Sequence, residues 1–227
     1  SQTLDEAKKS GLKLVIGNKN YSSWSMRPWV AMAAFNIPFE EINIVLDKPE
    51  TSAMIAHYSL AGRVPVLIAG ETTVWDSLAI CEYLADQFPE KNMWPRNVAQ
   101  RAMARSMCAE MHSSFSDLRS AMSMNIRASF PGKGRTPGAQ ADIGRISELW
   151  ENCLSNAGAH QFLFGEFSIA DAYFAPVAMR FRTYGVSLAP ALQGYIDNIA
   201  AHPAVAEWIS GALKETTYLP LHDVEPD

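Results

Sequence analysis

The first ninety residues alternate between short apolar runs and stretches with helical spacing. LKLVIG (12–17) and VPVLIAG (64–70) have the length of strands, and FEEINIVL (39–46) alternates apolar and polar positions as a half-buried strand does. MRPWVAMAAF (26–35) and DSLAICEYLADQF (76–88) repeat apolar residues at the spacing of a helix. GETTVW, which follows residue 69, is expected to return as a hairpin partner. This βαβ and ββα order predicts a small mixed sheet with helices.

The remainder of the chain has the pattern of an all-helical domain. FPEKNMWPRN (88–97) is a polar, proline-bounded link. Apolar residues then step by three or four from Met103 to Ile126, which predicts one long helix. Further helices are expected over residues 143–154, 169–185, 189–200 and 203–213, with Ser168 and Asp171 as a capping-box variant. We therefore predict an α/β domain over residues 11–90 and an all-α domain over residues 97–220.

Composition narrows the functional classes. The chain has 227 residues, 48% of them hydrophobic, with 19 basic and 24 acidic side chains and a formal net charge of −5. This mildly acidic balance argues against a nucleic-acid partner, and no apolar run has the length of a membrane span. The three cysteines show no metal-type spacing, which indicates buried thiols, a cytoplasmic compartment and no metal. SQTLDEAKKSG (1–11) lacks the apolar core of a signal peptide and is expected to be a flexible lead-in.

A turn rich in hydroxyl groups separates the first strand from the first long helix. Ser22 and Ser23 stand where backbone N–H groups and a helix dipole point outward, which suits an anion. The same residues suit a simple helix cap, and Ser25 is also a candidate cap because serine is a preferred N-cap residue. Asp76 has the same two interpretations, as an N-cap or as a ligand-binding carboxylate. Taken without other motifs, the sequence of this turn favours helix capping as the role of Ser22 and Ser23.

Three motifs in a fixed order carry a resemblance to a known family. They are SSWSMR (22–27), the pair Val64-Pro65 that opens a strand, and the pair Asp76-Ser77 that opens a helix. Together they resemble the cytosolic glutathione transferases, over roughly residues 12–213. The first motif is closest to the SSCSWR-type turn of the zeta class, and the serine-type tau class is similar. Trp24 stands where zeta members usually have cysteine.

The resemblance implies a thioredoxin-like N-terminal domain, a helical C-terminal domain and a set of site residues. Ser22 would donate a hydrogen bond to the thiolate of glutathione, with Ser23 as the second choice and Tyr21 as the third. Val64 and Pro65 would form a cis-proline turn that pairs with the cysteinyl backbone. Asp76 and Ser77 would hold the γ-glutamyl end, and Lys48 is a candidate for the glycyl carboxylate.

Elementary energetics make the role of the serine reasonable. An ordinary thiol titrates near ~8.5, so only about 3% of it is ionised at neutral pH. A hydrogen bond to a charged acceptor contributes about 1.5–3 kcal/mol, and one pKa unit corresponds to about 1.4 kcal/mol. One hydroxyl donor is therefore expected to lower the pKa of the thiol by roughly one to two units.

The function predicted from this resemblance is a glutathione S-transferase of the detoxification type. Glutathione would be the co-substrate, a small apolar electrophile the second substrate, and the enzyme a homodimer. Met111, His112 and Phe115 are candidates for lining the pocket of the electrophile. Two alternatives stay open, namely a glutathione-dependent cis–trans isomerase of the maleylacetoacetate type and a non-catalytic interaction module on the same scaffold.

Overall fold

The computed structural model describes residues 2–157, 161–223 and 225–227. Within them the chain forms one four-stranded sheet, a 3-10 turn at Pro89–Lys91 and eleven α-helices. The strands are β1 (Leu12–Ile16), β2 (Glu40–Asn43), β3 (Val66–Ala69) and β4 (Thr72–Trp75). The helices are α1 (Leu4–Lys9), α2 (Ser23–Ala34), α3 (Thr51–Ala56), α4 (Ser77–Gln87), α5 (Val98–Ser113), α6 (Ser116–Ala121), α7 (Pro137–Asn156), α8 (Ile169–Thr183), α9 (Pro190–Ala201), α10 (Pro203–Lys214) and α11 (Pro220–Asp223).

The sheet has the strand order β2-β1-β3-β4. β1 pairs with β2 in parallel and with β3 in antiparallel fashion, and β3 and β4 form the hairpin expected from the sequence. Val15 lies opposite Val66, and Val66 lies opposite Trp75. The end of β1, the start of β3 and the end of β4 therefore meet at one end of the sheet, which we call the upper end. The predicted fold class, a thioredoxin-like sheet domain followed by a helical domain, is confirmed.

One hydrophobic core runs through both parts of the chain. It includes Leu14 of β1 and Trp29 of α2 together with Trp150 of α7 and Phe174 of α8. The indole rings of Trp29 and Trp208 (α10) have centroids 5.3 Å apart, so helices from the two ends of the sequence pack directly on each other. α8 is buried along nearly its whole length, as its predominantly apolar sequence requires. The elements that carry the candidate active site pack on this shared core.

The prediction of one long helix between Met103 and Ile126 is wrong. α5 ends at Ser113, and Phe115 adopts a left-handed conformation with φ 64° before α6 begins. The side chain of Phe115 is nevertheless buried, and the Leu118 N–H donates to a carboxylate oxygen of Asp142 at 3.0 Å. The apolar residues on both sides of this break therefore still pack together, because both helices direct them into the same core.

Both ends of the chain are more ordered than expected. The predicted lead-in contains α1, whose N-terminus has a capping box between Thr3 and Glu6. HDVEPD (222–227), which the sequence predicts to be a loose tail, begins within α11 (Pro220–Asp223), so that prediction is wrong for His222 and Asp223, whereas Val224 lies outside the described residues. Asp223 is tied back to the N-terminal domain by the phenol group of Tyr21, at 2.8 and 2.6 Å from its two carboxylate oxygens.

None of the helices in the described part of the chain combines the length and apolar character that a membrane crossing requires.

Candidate active site

The three motifs of the sequence analysis lie at the upper end of the sheet. Val64 and Pro65 immediately precede β3, and their peptide bond is cis, as the resemblance implies. Asp76 and Ser77 immediately follow β4, and the serine turn follows β1. The antiparallel register therefore brings together three segments that are up to about fifty residues apart in sequence.

Ser22 is the N-cap residue of α2, so the expectation that Ser25 caps this helix is wrong. The Ser22 side chain makes no capping bond to the backbone and donates instead to the hydroxyl of Ser25 at 2.6 Å. Ser25 also accepts a hydrogen bond from the Gly17 N–H at 3.1 Å. The Ser22 hydroxyl thus lies at the positive end of a twelve-residue helix and is not used for capping.

The two other hydroxyl candidates have partners elsewhere. Ser23 accepts a hydrogen bond from the guanidinium of Arg180 at 3.2 Å. The phenol oxygen of Tyr21 donates to Asp223 and accepts from Arg127 and the Leu219 N–H. Burial and the neighbouring Asp223 carboxylate raise the pKa of Tyr21. These partners leave Ser22 as the hydroxyl that is least committed to the protein framework.

Asp76 is a helix cap and also part of a second polar network. One carboxylate oxygen accepts from the Ala79 N–H at 3.1 Å, and the other lies 2.9 Å from Nε2 of His112 on α5. Its backbone has φ 78° and ψ 127°, a conformation that costs a residue other than glycine about 1–3 kcal/mol. The Asp76 side chain is 41% exposed, so it presents a carboxylate to solvent at the N-terminus of α4.

The network continues from His112 into the helical domain. Nδ1 of His112 lies 2.6 Å from the phenol oxygen of Tyr173, which in turn lies 2.8 Å from the hydroxyl of Ser77. Burial raises the pKa of Tyr173, so the phenol stays protonated. The imidazole also packs edge-on against Trp24, with ring centroids 5.1 Å apart. His112 therefore connects the serine turn, the start of α4 and the helical domain.

Two candidates for the second-substrate pocket lie in the core instead. Met111 and Phe115 are buried, whereas His112 is half-buried and faces the site. Lys48 is exposed on the loop that precedes α3, and its predicted role stays a prediction.

The cysteines are buried free thiols, as expected from their apolar surroundings. Burial raises the pKa of Cys81 to about 12 and that of Cys153 to about 11, and the pKa of Cys108 rises in the same direction. These thiols are protonated at neutral pH and are therefore poor nucleophiles. In the described residues, histidine, cysteine and acidic side chains form no group of three that could hold a metal ion.

Long-range contacts supply several site residues that sequence reasoning missed. Tyr173 and Arg180 were predicted only as parts of a helix, and Ser25 only as a cap. The contacts that bring Tyr173 to Ser77 and Arg180 to Ser23 span 96 and 157 residues. The sequence does offer a local signal for Arg180, which is an arginine inside an otherwise apolar helix. A helix of this kind is expected to be buried, and a buried arginine is expected to have a partner.

Comparison with family models identifies both parts of the chain. Residues 21–87 match the model of the glutathione S-transferase N-terminal domain, and residues 110–210 match that of the C-terminal domain. The two matches together span more than half of the sequence and agree with the fold and with the order of the motifs. The chain belongs to the cytosolic glutathione transferase family.

Individual relatives are distant. Dichloromethane dehalogenase of Methylorubrum extorquens is 36% identical over 74 residues, which are 31% of this chain and 26% of the dehalogenase. Maleylacetoacetate isomerase of Rattus norvegicus is 26% identical over 172 residues, 74% of this chain and 75% of the isomerase. A glutathione transferase homologue from Burkholderia GL BGR1, solved with bound glutathione, superposes with a TM-score of 0.69 at 23% identity and covers 90% of this chain and 98% of its own. These similarities support the shared fold.

Proposed function

We propose that this protein is a glutathione transferase in which the hydroxyl of Ser22 stabilises the thiolate of glutathione. The observation that carries the proposal is the placement of Ser22. It caps no backbone N–H, it lies at the N-terminus of α2, and it shares the upper end of the sheet with the strained, exposed Asp76. A helix N-terminus and a hydroxyl donor both favour the ionised sulfur over the thiol.

The chain offers complementary groups for the rest of the tripeptide. The first N–H groups of α4, at Ser77 and Leu78, precede the first intrahelical bond, which Ile80 donates to Asp76. Such groups suit the γ-glutamyl carboxylate, and the Asp76 carboxylate suits the adjacent α-ammonium. The backbone of Val64, which immediately precedes β3, suits the cysteinyl amide. Lys48 is our proposed partner for the glycyl carboxylate.

Binding of the thiolate requires a rearrangement of hydroxyl protons at the turn. Ser22 donates to Ser25 in this structure, and to hold the sulfur of glutathione its proton would turn from Ser25 toward the sulfur. Ser25, which keeps the N–H of Gly17 as its own donor, then donates to Ser22 in return. The resulting chain of donors runs from Gly17 through Ser25 and Ser22 to the sulfur. Each donor polarises the next, which strengthens the final hydrogen bond.

The chemical step needs no other nucleophile from the protein. The thiolate attacks the electrophilic carbon of a small second substrate, a carbon–sulfur bond forms, and the leaving group departs with its bonding electrons. Ser22 keeps its proton throughout, so it is a hydrogen-bond donor and not a base. Glutathione is consumed in this reaction.

A second candidate function is glutathione-dependent cis–trans isomerisation, in which the sulfur adds to a double bond and leaves again. The name of the rat relative, maleylacetoacetate isomerase, favours this candidate. Product analysis separates the two activities, because the isomerase regenerates glutathione.

We further propose that the protein acts as a homodimer with domains at residues 11–90 and 97–220 in a reducing, cytoplasmic compartment. Leu60 is 99% exposed and Trp75 57% exposed, and both line one cavity of about 510 Å³ beside α3. Apolar side chains of this size at one groove suit a partner subunit. The three buried free thiols suit the reducing compartment. Light scattering of the wild type and of Leu60→Asp tests the dimer.

The catalytic proposal is tested by conjugation of glutathione to a chloronitrobenzene. Ser22→Ala should lower kcat/KM by roughly ten- to hundredfold, since one hydrogen bond to a charged sulfur is lost. Ser114→Ala is a suitable control, because Ser114 is the C-cap residue that follows α5 and is not part of this turn. Equal rates in the wild type and in Ser22→Ala would contradict the role of Ser22, and binding of glutathione without any turnover would favour the interaction module.

A further inference from the structure

The loop that precedes the serine turn is held by the far end of the chain. We call residues 18–21 the leading loop and residues 215–223, which follow α10, the C-terminal segment. The backbone N–H groups of Lys19 and Asn20 both donate to the carboxylate of Glu215, at 2.8 and 2.9 Å. A carboxylate that accepts two neighbouring N–H groups makes charge-assisted hydrogen bonds, which are stronger than bonds between neutral groups. Glu215 therefore fixes the backbone of the leading loop directly.

Tyr21, the residue directly before Ser22, makes a second connection to the C-terminal segment. Its phenol donates to the carboxylate of Asp223, whose two oxygens lie 2.8 and 2.6 Å away, and accepts from the Leu219 N–H at 3.2 Å. Burial and the Asp223 carboxylate raise the pKa of Tyr21, so the phenol stays protonated and keeps donating at neutral pH. Leu219 is buried, which anchors the segment beside the phenol.

Two residues between α6 and α7 brace the leading loop and the C-terminal segment together. Arg127 donates to the phenol of Tyr21 at 2.9 Å and to a carbonyl of the C-terminal segment at 2.7 Å, and its N–H donates to the side chain of Asn20 at 2.8 Å. Asn125 accepts from the side-chain amide of Asn20 at 2.8 Å and donates to Asp223 at 2.9 Å. The connection is therefore a network with several independent bonds.

The leading loop determines where the Ser22 hydroxyl points. The Ser22 N–H donates to the carbonyl of Asn18 in this loop at 2.8 Å, and the Ser22 carbonyl accepts from the Met26 N–H of α2 at 3.1 Å. One side of Ser22 is thus fixed by a helix that packs in the shared core, and the other side by the leading loop. Loss of the contacts to the C-terminal segment would move the loop and turn the hydroxyl, while α2 stays in the core.

We propose that Glu215 and Asp223 are positioning residues, which hold the leading loop so that the Ser22 hydroxyl points at the sulfur of glutathione. The inference rests on the proposed role of Ser22 and makes the C-terminal segment part of the same device. A displacement of about 1 Å in a catalytic group can lower a rate about a hundredfold, so a group on a loop needs such support. Both carboxylates act through Ser22 and not on the substrate.

The thiol pKa of bound glutathione, measured by ultraviolet absorbance at saturating glutathione, tests the first anchor. Glu215→Ala leaves two N–H groups of the leading loop without their acceptor, and it should raise the pKa of the bound thiol by about 0.5–1 unit relative to the wild type. Glu207→Ala is the matched control, because Glu207 is an exposed glutamate on the neighbouring α10. This control should keep the wild-type thiol pKa.

The second anchor gives an independent test that does not depend on the folding of Glu215→Ala. Asp223→Ala removes the acceptor of the Tyr21 phenol and should raise the pKa of the bound thiol by about half as much. Asp223→Asn keeps a side-chain oxygen for the phenol and should restore most of the wild-type value. Glu225→Ala is the control, because Glu225 is an exposed acid two residues further along the chain.

Kinetics and stability separate positioning from a purely structural role. In Glu215→Ala, kcat for a chloronitrobenzene should fall roughly two- to fivefold at neutral pH with the smaller thiolate fraction. KM for glutathione should change less than about twofold, because Asp76 and Val64 are proposed to hold the tripeptide. A purely structural role would lower only the free energy of unfolding.

The possible outcomes distinguish this proposal from the proposed function. A wild-type thiol pKa in both Glu215→Ala and Asp223→Ala, or an equal rise in the control variants, would overturn the positioning role and leave the role of Ser22 standing. A wild type that does not lower the thiol pKa of glutathione would instead contradict the role of Ser22 itself, and the positioning proposal would fail with it.

Discussion

Two helices of this protein begin with the same pair of side chains, a serine and an aspartate, in opposite surroundings. At α8, Asp171 is fully buried, and its carboxylate accepts from the Leu163 N–H, the Ser168 N–H and the Tyr195 hydroxyl. At α4, the Asp76 side chain is 41% exposed, has a positive φ and faces a histidine. The first set is completely satisfied by the protein, whereas the second keeps hydrogen-bonding capacity for a ligand.

The comparison shows what distinguishes a folding device from a binding site when the chemistry is the same. Both aspartates take part in capping a helix, Asp76 as the N-cap of α4 and Asp171 as the capping-box partner of Ser168 at α8, so the capping bond itself is uninformative. Solvent access and backbone strain are informative, because a strained and exposed cap persists only where the surrounding structure enforces it. The predictions below test this distinction in order of decreasing expected effect.

Removal of the buried Asp171 carboxylate should produce the largest effect, which is a loss of stability. Asp171→Ala leaves two buried N–H groups and a tyrosine hydroxyl without an acceptor, so the free energy of unfolding should fall by roughly 3–5 kcal/mol. Urea denaturation measures this loss. Asp197→Ala, at an exposed position of α9, should change stability by less than about 0.5 kcal/mol. A loss below about 1 kcal/mol for Asp171→Ala would remove the basis of the comparison.

The exposed cap should instead affect ligand binding. Asp76→Asn keeps a residue that caps helices and tolerates positive φ, so stability should change by less than about 1 kcal/mol. It removes the charge that is proposed to face the α-ammonium of glutathione, so the affinity for glutathione should fall by roughly ten- to hundredfold. Titration calorimetry measures the affinity. Unchanged affinity in a stable variant would mean that Asp76 is a cap and nothing more.

The buried carboxylate should also leave a signature in the pH dependence of stability. Burial raises the pKa of Asp171 to about 6 from its ordinary value of 3.8. Between about pH 4 and 6 the folded protein therefore binds more protons than the unfolded chain, and the free energy of unfolding decreases as the pH rises through this window. The slope should reach at most about 1.4 kcal/mol for each pH unit.

Urea titrations of the wild type and of Asp171→Asn isolate this contribution, because other carboxyl groups titrate alike in both proteins. The free energy of unfolding of the wild type minus that of Asp171→Asn should decrease as the pH rises from 4 to 6. A difference that stays constant or grows over this range would contradict the raised pKa of Asp171.

The histidine at the exposed cap should contribute least. His112→Ala removes a partly exposed polar contact with Asp76, so stability should fall by about 0.2–1 kcal/mol and the affinity for glutathione by a few-fold. Arg145→Ala is a control, since Arg145 forms a partly exposed pair at 2.8 Å with Glu110 of α5, the helix that also carries His112, and neither residue has a proposed role in glutathione binding. If both variants bind glutathione equally well, His112 does not orient Asp76.

Elements with strong periodicity were predictable from the sequence. β1, β3, α4 and α8 follow their apolar patterns closely, because each buries one face or the whole element in the core. The break at Phe115 was not predictable, since a left-handed phenylalanine has no local signature. α3 was also missed, because only Ile55 among its residues is buried and the amphipathic signal is weak.

The site was predictable in part, and the resemblance contributed more than propensity did. Ser22, Val64-Pro65 and Asp76-Ser77 came from ordered motifs, and the sheet register brings them to one end. His112, Tyr173 and Arg180 acquire their contacts through packing between the two parts of the chain. No rule based on neighbouring residues contains that information, because the partners are 36 to 157 residues apart.

The most direct test of the central claim is the thiol pKa of glutathione bound to the protein. Ultraviolet absorbance of the thiolate, followed against pH, measures this value for the wild type, Ser22→Ala and Ser23→Ala. The wild type should hold the thiol roughly one to two units below its free value of about 8.5, Ser22→Ala should restore most of that difference, and Ser23→Ala should change it less. A thiol in Ser22→Ala that ionises as readily as in the wild type would contradict the assignment of Ser22.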